Sequence, residues 1–242
     1  MRFKGTKLSN RTIALFAAAI LLLSSGGFLG VKAAPLVIGQ YYDATLQLDA
    51  IAVDLYKDGE AAGDNLLGDI TTVNPGKVYN ENISVYNSGT APEYVRLVVR
   101  KYWTHKDKDG NIVKDTKVDP SLIELTMAEG WQLNKSESTS ENTPAGETSV
   151  YYFSDQLSPN VEQRAIQSVR VSDEVLKDVT VDVSDKSPEG KTVYTYTYKY
   201  NGYSINIEAE AQAVQTHNAN DAIKSVWGVK NVKESDNRLT VE

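Results

Sequence analysis

From Glu93 to Trp103 the sequence EYVRLVVRKYW alternates with a period of two, and this pattern limits the fold more than any other in the chain. Successive side chains of a strand point to opposite faces, so Val95, Leu97, Val99 and Trp103 share one face while Tyr94, Arg96, Arg100 and Tyr102 fall largely on the other. One face is therefore expected to turn inward. Upstream, Val78, Ile83, Val85 and Tyr86 mark a second strand, and Asn87-Ser88-Gly89-Thr90 supplies residues that tolerate positive φ at a reversal. These two strands are expected to pair as a hairpin.

The sharpest local signal is YTYTYKY-NG-YSINIEAEAQAV, because Asn201-Gly202 is the preferred two-residue loop of a type I′ hairpin. That register sets Tyr200 against Tyr203, Tyr198 against Ile205, Tyr196 against Ile207 and Tyr194 against Ala209, which predicts one buried apolar face. Thr195, Thr197, Lys199, Asn206, Glu208 and Glu210 occupy the wet face. Strands with one dry and one wet side indicate an all-β fold, an antiparallel two-sheet sandwich. After Asn218, the residues Ala219, Ala222, Ile223, Val226 and Trp227 recur at helical spacing and Gly228 follows, predicting one short helix over about 218–227. A helix with a single apolar stripe is expected to seal an open end of the sandwich, with Trp227 in the core. The segments Asn134 to Thr148 and Asp182 to Lys191 are polar and read as long loops, not as linkers between domains.

The first 33 residues read differently. Arg2, Lys4, Lys7 and Arg11 precede an apolar run from Ile13 to Leu23, and Val31-Lys32-Ala33 forms a small-residue cleavage signal. The run is shorter than the 20 or so residues a membrane span needs, so residues 1–33 read as a signal peptide cut between Ala33 and Ala34. A retained membrane anchor is the competing reading, since Phe28 to Val31 adds apolar length. Residues 34–242 are then one secreted β-sandwich domain. The leader holds five of the 25 basic residues and none of the 32 acidic ones, so the mature chain balances 20 against 32, or −12. A surface that acidic excludes nucleic acid as a partner. With no cysteine in the chain, disulfides, thiolate metal sites and cysteine nucleophiles are excluded too. Export without disulfides suits a bacterial protein.

Motifs of catalysis are missing. There is no H-E-x-x-H, G-x-S-x-G, P-loop or G-x-G-x-x-G, so no catalytic residue, cofactor or metal ligand is assigned. His105 and His217 are the only histidines, and His217 is expected to orient the helix start. Asp107, Asp109, Gly110 and Asn111 resemble a calcium loop only until the register is applied. With Gly110 at position six, His105 and Thr116 would fill the end positions, so a plain turn is expected. Glu208 and Glu210 lie about 7 Å apart on one strand face, a separation that an inverting glycosidase uses, but among Thr, Asn and Lys they read as a solvated face.

Three segments together carry a resemblance: DITTVNPGKVYNENISVYNSGTAPEYVRLVVRKYW, the DPSLIEL and GWQL stretch, and AVQTHNANDAIKSVWG. The chain resembles the TasA/camelysin family of exported Gram-positive proteins. The similarity covers most of the mature chain and departs at Asn134 to Thr148. It implies a jelly-roll-like sandwich, processing by a signal peptidase, and a role as a fibre subunit of the biofilm matrix. The implied partners are other copies of the same chain, and other matrix or cell-surface proteins, with the N-terminal segment of one subunit adding as a strand to the next.

Ala34 to Leu48 (APLVIGQYYDATLQL) fits such a donor. Pro35 and Gly39 disfavour helix, while Leu36, Val37, Ile38, Tyr41 and Tyr42 supply anchoring side chains. The same segment could equally be the domain's own first strand. Camelysin is named for proteolysis, so a surface metalloprotease is the alternative the resemblance implies, and zinc would need both histidines to converge with a carboxylate. An adhesin or carbohydrate-binding domain, using loops at one end of the sandwich, is the third reading.

Overall fold

The period-two pattern of Glu93 to Trp103 extends to Lys106 as one fourteen-residue strand at the centre of a two-sheet sandwich. The structure is a computed structural model that describes residues 50–63, 66–67, 72–138, 144–184 and 193–242. The leader, the cleavage pair Ala33 and Ala34, and the candidate polymerisation strand with Leu36, Val37, Ile38, Tyr41 and Tyr42 lie outside the described residues.

In chain order the strands are β1 (Val53–Lys57), β2 (Glu60–Ala61), β3 (Val78–Asn87), β4 (Glu93–Lys106), β5 (Ile112–Asp115), β6 (Ile123–Met127) and β7 (Trp131–Asn134). They continue as β8 (Thr148–Phe153), β9 (Glu162–Val171), β10 (Val179–Ser184), β11 (Val193–Tyr198) and β12 (Ser204–Gln215). A helical turn α1 (Ala219–Ala222) widens into a π turn over Ile223–Trp227 before the β13 (Val232–Ser235) and β14 (Arg238–Val241) hairpin.

One sheet has the order β2-β1-β3-β9-β6 and the other β12-β4-β8-β7, with β5 on the end of β4, and every pairing is antiparallel. Between them Ile83, Val85, Ile123, Ile166 and Val171 of the first sheet meet Val95, Leu97, Val99 and Trp103 of the second. The inward face of β4 is the one the alternation predicts. Its outward face is also covered at one end. There Tyr94, Tyr152 and Val214 form a second core beneath Ala219, Ile223, Trp227, Val232 and Leu239.

Several expectations are corrected. β3 and β4 do not form a hairpin. They belong to opposite sheets, and the Asn87 to Thr90 turn carries the chain across the sandwich. The Asn87 side chain fixes this crossing by donating to the carbonyls of Ala91 (2.9 Å) and Leu157 (2.8 Å). Gly89 serves close approach, not positive φ, because a Cβ there would lie 2.3 Å from the Ala50 carbonyl oxygen.

The tyrosine hairpin is not formed either. β11 pairs backward with β10, and β12 pairs along all twelve of its residues with β4. Asn201-Gly202 does make a turn, with Gly202 at φ +80°. However, Tyr200 and Tyr203 leave the ladder and pack on Trp103 at centroid distances of 5.1 and 6.4 Å. A long partner strand with a core face beneath it outweighs a short local hairpin.

The helix starts and stops near the expected places, but it lies on the outer face of a sheet and does not close an end of the sandwich. Asn218 sits at φ +51° and its side chain makes no capping bond. The π turn shifts the stripe, leaving Val226 65% exposed while Ile223 and Trp227 stay buried. Asp182 to Ser184 belong to β10 and not to a loop, and residues 185–192 lie outside the described residues. No helix among the described residues is long and apolar enough to cross a membrane.

Candidate functional site

β12 combines two properties that rarely stay together on a sheet edge. Its inward side chains Ile205, Ile207, Ala209, Ala211 and Ala213 pack on the main core yet remain only half-buried. Its second edge pairs with no strand among the described residues. At 3.4 Å per residue this free edge is about 40 Å long. In an antiparallel ladder alternate residues direct their N–H and C=O groups away from the partner, so this edge presents a row of donors and acceptors that no strand among the described residues takes up. Its register with β4 is unbroken over all twelve pairs, and no Pro or Lys interrupts it. It lacks the devices that usually blunt an edge, apart from Glu208 and Glu210 on its wet face.

Three clefts follow this strand from one end to the other. The first, about 620 Å³, opens at the Ser204 end between Trp103, Val175, Tyr198, Tyr200, Tyr203 and Ile205. A second of about 240 Å³ lies beside Ile207 and Ala209, with Leu55, Ala62 and Leu66 across from them. The third, about 460 Å³, lies at the far end between Ile51, Ala213, Val214 and Ala222. The three clefts and the half-buried apolar row describe a groove that an extended peptide could fill.

At the far end, β4 begins with Glu93, paired with Gln215. Its side chain falls on the same inward face as Val95 and Leu97, and it is fully buried, with neither carboxylate oxygen hydrogen-bonded among the described residues. Burial pushes its pKa from 4.5 up to about 7. The amide of Ala52 opposes that rise electrostatically without forming a hydrogen bond of ordinary geometry. The chain enters the sandwich beside it, where the amides of Ser88 and Gly89 donate to the Ala52 carbonyl and that of Thr90 to the Ala50 carbonyl.

The outer face of the same sheet is fastened by Arg96. Its Nε donates to Gln212 on β12 at 2.8 Å, and one terminal nitrogen donates to Glu137 (2.8 Å) and to the Tyr152 hydroxyl (3.1 Å). Its guanidinium lies 5.1 Å from the Trp227 ring centre, so the arginine ties β12, β8 and the π turn together. Tyr152 donates to Glu137 at 2.5 Å, and burial together with that carboxylate raises the phenol pKa above its usual range.

The two histidines are not brought together. His105 lies on β4 just past the pairing with Ser204, whereas His217 follows the other end of β12, so about 40 Å of strand separates them. His105 Nδ1 is 4.0 Å from Asp115 Oδ2, which accepts a 2.8 Å bond from the Tyr203 hydroxyl. Among the described residues, no three histidine or carboxylate side chains are grouped to hold a metal.

The Asp107 loop is a self-satisfied turn, as expected. The Asp107 carboxylate accepts from the amides of Asp109 (2.9 Å) and Asn111 (2.8 Å), and Gly110 takes φ +86°. Glu208 and Glu210 are exposed and accept from Tyr102 and Gln212 at 2.7 and 2.6 Å. That is the solvated face the residues implied. Sequence reasoning missed Glu93 because a lone glutamate at a strand start looks exposed. Only the period-two count from Val95 back to position 93 could have placed it inside. Compared with known proteins, the chain matches no family model and no curated protein.

Proposed function

We propose that the chain is a secreted structural protein of an extracellular matrix, assembling head to tail into fibres by N-terminal strand donation. The observation that carries this reading is the uninterrupted edge of β12, which pairs with no strand among the described residues, with its half-buried apolar row. Strand addition satisfies the unspent backbone groups of an open edge, and side chains from the added strand fill pockets at alternate positions. The donor in this reading is Ala34 to Leu48, which offers Leu36, Val37, Ile38, Tyr41 and Tyr42 to the groove after cleavage between Ala33 and Ala34. The resemblance to the TasA/camelysin family points the same way. A metalloprotease receives no comparable support, because His105 and His217 lie at opposite ends of β12.

The test uses the chain beginning at Ala34, viewed by electron microscopy and followed by light scattering. Fibres are expected, and removal of Ala34 to Tyr42 is expected to abolish them while leaving the monomer folded. A chain that stays monomeric across concentration and pH, or fibres that survive the deletion, would overturn the reading.

A further inference from the structure

β10 and β11 form a two-stranded ribbon that pairs with no third strand among the described residues. Val179 opposes Tyr198, Val181 opposes Tyr196 and Val183 opposes Tyr194. Residues opposite one another share a face, so these six line one side and Thr180, Asp182, Thr195 and Thr197 the other. The sequence pattern predicted a buried tyrosine row. Instead Tyr194, Tyr196 and Tyr198 are 58, 59 and 43% exposed, and their hydroxyls have no hydrogen-bond partner among the described residues. We propose that this tyrosine face binds an extended, uncharged polysaccharide.

Side chains two residues apart on a strand repeat at about 7 Å, so the three rings form a platform about 14 Å long. The C–H faces of pyranose rings stack on aromatic rings, and sugar hydroxyls would satisfy the three unspent phenols. A protein surface closing over them would have to supply three matched partners. The ribbon is also too small for a stable contact with a second copy. Two strands about 4.8 Å apart and six residues long offer a footprint of about 200 Å², against the roughly 800 Å² per partner of a stable interface. Among the described residues no charged side chain stands on the tyrosine face, and Lys199 at its foot is paired with Asp178 at 2.9 Å, which favours a neutral ligand. Tyr198 also lines the cleft of about 620 Å³ with Trp103, Tyr200 and Tyr203, so the platform ends where the groove along β12 begins.

The experiment measures retention of the chain on insoluble cellulose and chitin, and tyrosine fluorescence on titration with cellohexaose and chitohexaose. At least one of these probes is expected to bind. The double variant Tyr194→Ser/Tyr196→Ser is expected to lose about tenfold or more in affinity, the effect of removing two stacking contacts. Tyr194→Phe/Tyr196→Phe, which keeps the rings, is expected to fall between the two. Both variants change exposed side chains, so the unfolding midpoint checks that the fold is intact. Absence of binding to all four probes overturns the proposal, as does serine-variant binding equal to that of the original chain. Concentration-dependent association that the serine variant abolishes, without sugar binding, would assign the ribbon to contact between copies and also overturn it. Fibre formation is scored separately, since it tests the β12 edge and not the ribbon.

Discussion

Glu93 is the residue at which burial and charge conflict most directly. Its pKa of about 7 in the folded chain stands above the ordinary 4.5 because burial in the sandwich interior penalises the ionised form more than the Ala52 amide stabilises it. Below pH 4.5 both the folded and the unfolded chain hold the proton. Between 4.5 and 7 only the folded chain does, so this group's contribution to stability is present at low pH and lost as pH rises through 7. A shift of that size corresponds to about 3 kcal/mol across the window. Glu93→Gln removes the titration. Denaturant midpoints at pH 5, 6, 7 and 8 are expected to fall less steeply in the variant, which becomes the more stable protein at pH 8. Parallel pH profiles for the two chains would show that Glu93 does not carry the effect.

At the scale of elements, the strands with the clearest alternation were legible and their partnership was not. Alternation in Glu93 to Trp103 and in Ser204 to Val214 reports which side chains share a face, and those faces are as expected. Pairing depends on competition between distant segments, which no local pattern records. Asn201-Gly202 favours a hairpin with Tyr194 to Tyr198, but β4 offers β12 a longer ladder and a core beneath it. The candidate donor segment was named from its residues, whereas its candidate acceptor became visible only when β12 was placed at an edge. The helical turn shows a third case. Its stripe was read at α spacing, and the π turn moved Val226 outward while keeping Trp227 buried against Tyr152, with ring centroids 5.3 Å apart. Trp227→Ala removes the anchor of this outer core and is expected to cost about 3 to 5 kcal/mol. Because the main core lies on the other face of the sheet, far-UV circular dichroism should keep its β signature while near-UV aromatic signals weaken. Unchanged stability would mean that the π turn is not held by its tryptophan.

The whole molecule poses an electrostatic problem for a protein proposed to polymerise. The full chain has a formal charge of −7, and the chain beginning at Ala34 would carry −12. Copies of such a chain repel one another on approach, while the inward row of β12, from Ile205 to Ala213, bears no charge and favours contact once it is reached. The barrier to assembly should therefore be long-ranged and screened by salt, whereas the stability of the joined state should rest on backbone pairing and apolar burial. Raising ionic strength from about 0.01 M to 0.15 M shortens the screening length from about 30 Å to 8 Å. The lag before fibres appear is expected to shorten severalfold over that range, and again as falling pH protonates carboxylates and reduces the net negative charge. Completed fibres diluted into low salt should persist, because their junctions are not held by ion pairs. Light scattering for the lag and electron microscopy after dilution measure the two halves. An assembly rate indifferent to salt would remove repulsion as the barrier, and fibres that dissolve on dilution would show that their contacts are weaker than an added strand provides.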